Sequence, residues 1–303
     1  MSKKAVVILG PTATHKSRLG IALAQKFPFE IISADSMQFY KGMDIGTDKV
    51  PPERRAGIAH HLLDIITIEE EFSIADFKKL ALKTMQEIYL RGSIPLIVGG
   101  SGLYIRTLTE NFPVEESAPP DKKLREELSQ MDIYKLRKLA EEVDFDAASK
   151  VGLQDRKRLI RIVEYYKSTG KKISEVSNKP QEVLFLKIGL IKPRAVLYRD
   201  IEERIEQMFE SGFIDEVKAL REQYSNWSKT ALQAIGYKEV LMYLSGEISL
   251  EEAKRLMKLR TRHLAKRQIT WFKKEKGVHW IDSTNFPEAL KKAEDLVREF
   301  LSD

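Results

Sequence analysis

The chain has 303 residues, 43% apolar and 32% charged, a balance that supports a folded core and excludes wholesale disorder; its length calls for two domains or one large domain carrying an insertion. It contains no cysteine, which excludes disulfides and thiolate metal sites, and its five histidines show no zinc-binding spacing. The net charge of +6 is mildly basic and by itself says little about partners.

The first residues, Met1-Ser2-Lys3-Lys4, lack the pattern of a signal peptide, and no apolar stretch reaches the roughly 18 residues of a membrane span, so a cytoplasmic protein is expected. Ala5 to Leu9 is a continuous apolar run ending at Gly10-Pro11, which suits a strand buried on both faces of a parallel sheet. Helical spacing follows from Lys16 to Phe27, then a second strand from Phe29 to Ser33. Ile74 to Leu90 reads as an amphipathic helix, and Ile94 to Val98 as a third strand ending at Gly99-Gly100. Alternating strands and helices of this kind make an α/β domain with a parallel sheet. After about Asn111 the texture changes: Pro113, Pro119 and Pro120 break the chain, and Asp121 to Lys172 is charged and helical with no strand candidate. Val183 to Ile191 returns as a sheet-like run, and helices are expected from Arg194 to the end. The layout expected is a core of residues 1–113 and 183–303, interrupted by a helical insertion at 114–182.

Gly10-Pro11-Thr12-Ala13-Thr14-His15-Lys16-Ser17 links the first strand to the first helix. Such a loop cradles phosphate: backbone N–H groups and the helix N-terminus face the anion, the lysine adds charge and the hydroxyl can hold Mg²⁺. His15 stands where a glycine usually precedes the lysine, and its imidazole could either crowd an anion or donate to it. The bland alternative is a degenerate loop that merely joins strand to helix.

Ligands of open α/β sheets bind beyond the carboxyl ends of the strands. The second strand ends at Ser33-Ala34-Asp35-Ser36, and Asp35 could serve there as a general base, or it could cap the following turn or order Mg²⁺-bound water. Gly99-Gly100 more simply serves a tight turn. Between Lys254 and Lys276 lie ten Lys or Arg and one acid, Glu275. Lys254, Lys258, Arg262 and Lys266 recur every four residues and would form one stripe on a helix, which favours a polyanion partner over a mixed solvated face. His60-His61 reads as a structural pair, and Trp271, Phe272 and Trp280 as core.

Taken in order, GPTATHKS, SADSMQFYKGMDIGT, HHLLD, IPLIVGGSGLY, DRKRLIR, AIGYKE and AKRQITWF resemble the tRNA dimethylallyltransferase (tRNA isopentenyltransferase) family over nearly the whole chain. The resemblance implies an α/β fold with a P-loop NTPase-like parallel sheet and a helical insertion domain. It implies a monomer that uses Mg²⁺ to transfer dimethylallyl from its diphosphate to the exocyclic N6 amine of the adenosine 3′ of the tRNA anticodon. It places the diphosphate on Gly10 to Ser17, with Lys16 as charge partner and Ser17 toward the metal, Asp35 as base, and Ser101 at the mouth of the reaction channel. It places tRNA on Asp35, Ser36, Met37, Gln38 and Ser101, and on Gln233, Lys238, Lys266 and Arg267. Arg125, Lys157, Arg158 and Arg161 of the insertion would hold the anticodon arm. The chain departs from the family pattern at His15, in place of glycine, and at Asp200, where many members carry arginine; Gln233 also replaces an arginine found in some members. A P-loop kinase of small molecules or nucleotides would account for the loop and Asp35 but not for the basic helix, and a non-catalytic tRNA-binding protein is favoured only by His15.

Overall fold

The computed structural model describes residues 3–112, 121–178 and 180–302, so Met1, Ser2, Pro113, Pro119, Pro120 and the proposed boundary at residue 114 lie outside the described residues. The chain divides into two compact units, Met1–Thr109 with Gln181–Asp303, and Glu110–Pro180.

In the larger unit, β1 (Lys3–Leu9) leads through the loop at residues 10–15 into α1 (Lys16–Ala24). β2 (Phe29–Ser33) and the two-residue β3 (His60–His61) follow, then α2 (Ile74–Leu90), β4 (Ile94–Gly99) and α3 (Gly102–Thr109). α2 begins at a capping box: Ser73 Oγ accepts from the Asp76 N–H, and the Asp76 carboxylate accepts from the Ser73 N–H at 3.0 Å.

The smaller unit is helical, with α4 (Lys122–Gln130), α5 (Ile133–Val143), α6 (Phe145–Ala148) and α7 (Arg156–Thr169). Its first three helices start at aspartates, Asp121, Asp132 and Asp144, whose carboxylates accept from first-turn N–H groups, and α7 starts the same way at Asp155. Leu128, Leu136, Ala140, Leu159 and Val163 give it a core of its own.

The chain re-enters the sheet at β5 (Val183–Ile191) and continues through α8 (Arg194–Glu210), α9 (Phe213–Gln223), α10 (Tyr237–Leu244) and α11 (Leu250–Phe272). β6 (Val278–Asp282) and α12 (Phe286–Ser302) complete it. β6 corrects the expectation of helices only after Arg194. Of its five residues only Ile281 is buried, so this edge strand carries no apolar run to announce it. Trp280 on β6 is 40% exposed and is not core, whereas Phe272 is fully buried.

All pairings are parallel, in the order β3-β2-β4-β1-β5-β6. β1 alternates strictly: Ala5, Val7 and Leu9 face the core shared with α2, α3 and α8–α11, while Val6 and Ile8 face the core shared with α1 and α12. Burial on both faces explains why this strand reads as an unbroken apolar run. Its central position also sets the site, because β4 and β5 flank it and bring their carboxyl ends beside the loop that follows it. Among the described residues no helix is long and apolar enough to cross a membrane.

Candidate active site

Gly10 leaves β1 with φ 146°, and a Cβ there would stand 2.4 Å from the Leu190 carbonyl oxygen, so only glycine fits against β5. The loop turns through left-handed conformations at Ala13 (φ 63°) and His15 (φ 64°), and His15 is the N-cap of α1. Successive N–H groups in such a turn face one concavity. Side-chain hydrogen bonds hold the loop in shape. Thr14 Oγ1 and Lys16 Nζ each donate to the Pro11 carbonyl at 2.8 Å. The amide of Gln268, from α11, accepts from the Thr12 N–H at 2.9 Å and donates to the Gly100 carbonyl at 3.0 Å, tying the loop to the end of β4. Gly99 lets that end close on β2, since a Cβ would lie 2.2 Å from the Ala34 carbonyl oxygen. Gly99 thus serves close strand-to-strand packing rather than the tight turn expected of it.

The loop opens on a cavity of about 970 Å³ lined by the residues from Thr12 to Arg18, by Asp35 to Gln38 and by Gly99 to Ser101. Asp35 Oδ1 accepts from the Met37 N–H at 3.1 Å, so the carboxylate does cap its turn; among the described residues no hydrogen bond engages Oδ2. Burial raises the Asp35 pKa, against the opposing pull of the Met37 N–H, Lys16 and Arg204. Burial lowers that of Lys16 to about 8. A carboxylate whose pKa burial raises thus shares one cavity with a lysine whose pKa burial lowers.

Two residues at this end of the cavity, Arg204 and Lys192, were not singled out by sequence as ligands. Arg204, one helical turn after Asp200 on α8, donates to Thr12 Oγ1 at 2.6 Å and to Asp48 Oδ2 at 3.0 Å. Lys192, just after β5, donates to Asp200 Oδ2 at 2.6 Å and to His15 Nε2 at 2.9 Å. The i, i+4 spacing of Asp200 and Arg204 was the available signal; nothing in the sequence could link Lys192 to a loop 177 positions away.

Of the residues expected at RNA, Asp35, Ser36, Met37, Gln38, Ser101, Gln233 and Arg267 line this cavity. Gln38 is partly committed to the fold, accepting from Ser33 Oγ and donating to the Thr47 carbonyl. Gln233 and Arg267 also line an adjoining pocket of about 400 Å³ with Lys238, Arg260 and His263. Lys266 is exposed on α11 but lines neither. The basic stripe needs correction: Lys254 and Lys258 both bind Glu206, at 2.7 and 2.5 Å, and Arg262 binds Glu202. These three face α8, whose acids meet part of the charge that periodicity alone assigned to a polyanion.

In the smaller unit Glu164 is almost wholly buried and accepts from Arg125 Nε at 2.7 Å and from Arg161 Nη1 at 3.1 Å. Both arginines therefore first serve to neutralise a buried carboxylate, while Lys157 and Arg158 are exposed.

As to metal, no group of three or more His, Asp or Glu among the described residues offers a protein-only cage. The Ser17 hydroxyl and Asp35 carboxylate on one cavity suit a hard cation held chiefly by phosphate oxygens and water.

The family model described as IPP transferase matches residues 38–275. The chain belongs to the IPP transferase family. Among IPP transferase relatives, the tRNA dimethylallyltransferase of Carboxydothermus hydrogenoformans is 46% identical over 96% of this chain and 95% of its own. That of Dictyoglomus turgidum is 44% identical over 92% and 87%. A solved eukaryotic dimethylallyltransferase acting on tRNA superposes with a TM-score of 0.85 at 33% identity, covering 99% of this chain and 80% of that one. These likenesses make the chain an IPP transferase enzyme and agree with the α/β, P-loop NTPase-like fold expected from its sequence.

Proposed function

We propose that this chain transfers the dimethylallyl group of dimethylallyl diphosphate to the N6 amine of the adenosine 3′ of the anticodon in tRNA. The observation that carries this reading is the sharing of one cavity by the loop with Lys16 and by the Asp35 carboxylate, whose pKa burial raises. The amine is a weak nucleophile because its lone pair is delocalised into the purine. Rate must come from placement, from a base and from stabilisation of the leaving group. The amine nitrogen forms a bond to the allylic carbon, the carbon–oxygen bond breaks, and its electron pair leaves on the diphosphate. Asp35 takes the N–H proton as that bond forms. Lys16, the loop amides and Arg204 meet the charge that grows on the leaving oxygens. Ser17 would hold a Mg²⁺ ion against the phosphates, which supplies further charge stabilisation when bound.

The adenine must leave its stack at a cost of about a few kcal/mol. Exposed Lys157 and Arg158 of the smaller unit, with Lys238, Lys266 and Arg267, would meet that cost through contacts to the anticodon arm, with Ser36, Met37 and Ser101 at the base. On this reading the protein works as a monomer in the cytoplasm.

Asp35→Asn tests it. The variant should bind tRNA normally and lose roughly 10²–10⁴-fold in turnover, read by mass spectrometry of tRNA nucleosides. A near-normal rate removes Asp35 from the chemistry. Transfer of γ-phosphate label from ATP to a small acceptor, without prenyl label in tRNA, would favour a kinase instead.

A further inference from the structure

His15 and Asp200, two of the positions singled out in the sequence as departures from the pattern it resembles, are joined by one hydrogen-bonded chain. Asp200 Oδ2 accepts from Lys192 Nζ at 2.6 Å, and the same ammonium lies 2.9 Å from His15 Nε2. The Lys192 side chain is 2% exposed and ion-paired, so it is held in place rather than waving in solvent. An ammonium has protons to give and no lone pair to receive one. His15 Nε2 must therefore be the acceptor, and the ring's single proton must sit on Nδ1. The ring is fixed from its flank as well, edge-on to Phe286 with centroids 6.3 Å apart, and Arg18 stacks on the same phenyl ring at 3.8 Å. His15 lines the large cavity, and among the described residues no hydrogen bond engages its Nδ1.

We propose that Asp200 and Lys192 are positioning residues that lock His15 as a neutral Nδ1–H donor aimed at a diphosphate oxygen of the substrate, so that the imidazole serves the cradle where a glycine would leave only backbone. This rests on the reading of Gly10 to Ser17 as the diphosphate cradle. The arrangement also explains the acid at position 200. A cation there would repel Lys192, whereas the carboxylate holds the ammonium against the ring.

The test is nitrogen NMR of the full-length protein with ring-¹⁵N histidine, using His15→Ala to identify the His15 signals. The expected result is the neutral Nδ1–H tautomer at pH 7, with Nδ1 shifting when inorganic diphosphate and Mg²⁺ are added. Lys192→Met should release the tautomer, and Lys192→Gln, which keeps an N–H donor and guards against a folding defect, should retain it. An Nε2–H or doubly protonated ring in the wild type overturns the inference, as does a His15 spectrum unchanged in Lys192→Met. Calorimetry of inorganic diphosphate separates the underlying reading. Uptake without movement of the His15 signals overturns this role and leaves the cradle standing, whereas no uptake by the wild type overturns the cradle and this role with it. In kinetics, His15→Ala should raise KM for dimethylallyl diphosphate roughly tenfold or more, and His15→Asn, whose amide N–H can stand near the Nδ1 position, should recover most of it. Equal KM values for the wild type and the alanine variant would overturn the role.

Discussion

Burial acts in opposite senses on the two ionisable residues at the centre of the cavity, raising the pKa of Asp35 and lowering that of Lys16 to about 8. The signs give a pH profile. The base works only when ionised, so kcat/KM for the diphosphate substrate should rise with pH through a limb lying above the ordinary aspartate value. It should fall again near pH 8, where Lys16 of the free enzyme loses its proton and the cradle loses a charge. Bound diphosphate favours the charged lysine, so the falling limb of kcat should lie higher than that of kcat/KM. Steady-state kinetics across pH 5–10, in about unit steps, would check this, and a kcat/KM that keeps climbing past pH 9 would remove Lys16 from diphosphate binding. His15 carries a different cost. A side chain at φ 64° is strained by about 1 kcal/mol relative to glycine, so His15→Gly should be slightly more stable in thermal melts while binding diphosphate less well.

Between elements, charge serves the fold as much as the ligand. Lys254, Lys258 and Arg262 of α11 are held by Glu206 and Glu202 of α8, so Lys258→Ala should leave the salt dependence of tRNA binding unchanged. Lys266→Ala, at an exposed position, should reduce the slope of log K against log salt by about one. Filter binding at several salt concentrations separates the two, and equal slopes for both variants would restore the stripe as an RNA face. At the far edge of the sheet, Glu30 on β2 binds Arg91 at the end of α2, at 2.7 and 3.0 Å, and His61 Nε2 on β3 at 2.7 Å. The Arg91 hydrogen bonds, more than His61, hold its pKa down to about 2. A depressed carboxylate stabilises the fold fully above its ordinary value, near 4.5, and that contribution fades as pH falls toward 2. Glu30→Gln should cost about 2 kcal/mol at pH 7 and flatten the loss of Tm between pH 4.5 and 2.

At the level of the whole molecule, each unit has its own apolar core, and the proposed chemistry lies wholly within the larger one. Damage to the smaller unit should therefore leave small-substrate binding alone. Glu164→Ala removes the buried acceptor that Arg125 and Arg161 share, and should cost that unit about 2 kcal/mol while weakening tRNA binding. Diphosphate affinity by calorimetry should be unchanged, and a parallel loss of it would show that the smaller unit supports the cradle.

Much of this architecture was legible because it is local. β1, β2, β4 and β5 are apolar runs beside turn residues, the loop at Gly10 to Ser17 comes directly after one of them, and Asp35 stands at the end of its neighbour. Features set by short-range spacing and by burial on two faces can be read along a chain. β6 could not, since an edge strand with one buried residue leaves no periodic trace. Nor could the partners of the charges: the same lysine spacing on α11 fits an RNA face or an acid-bearing helix, and only packing against α8 decides between them. The three-residue link from Asp200 through Lys192 to His15 is of the same kind. The sequence by itself determined which residues are present and which neighbours share an element. Only the tertiary structure decided which charges meet, because a hydrogen bond forms over about 3 Å and residues far apart in the chain reach that distance only when the sheet brings their strand ends together.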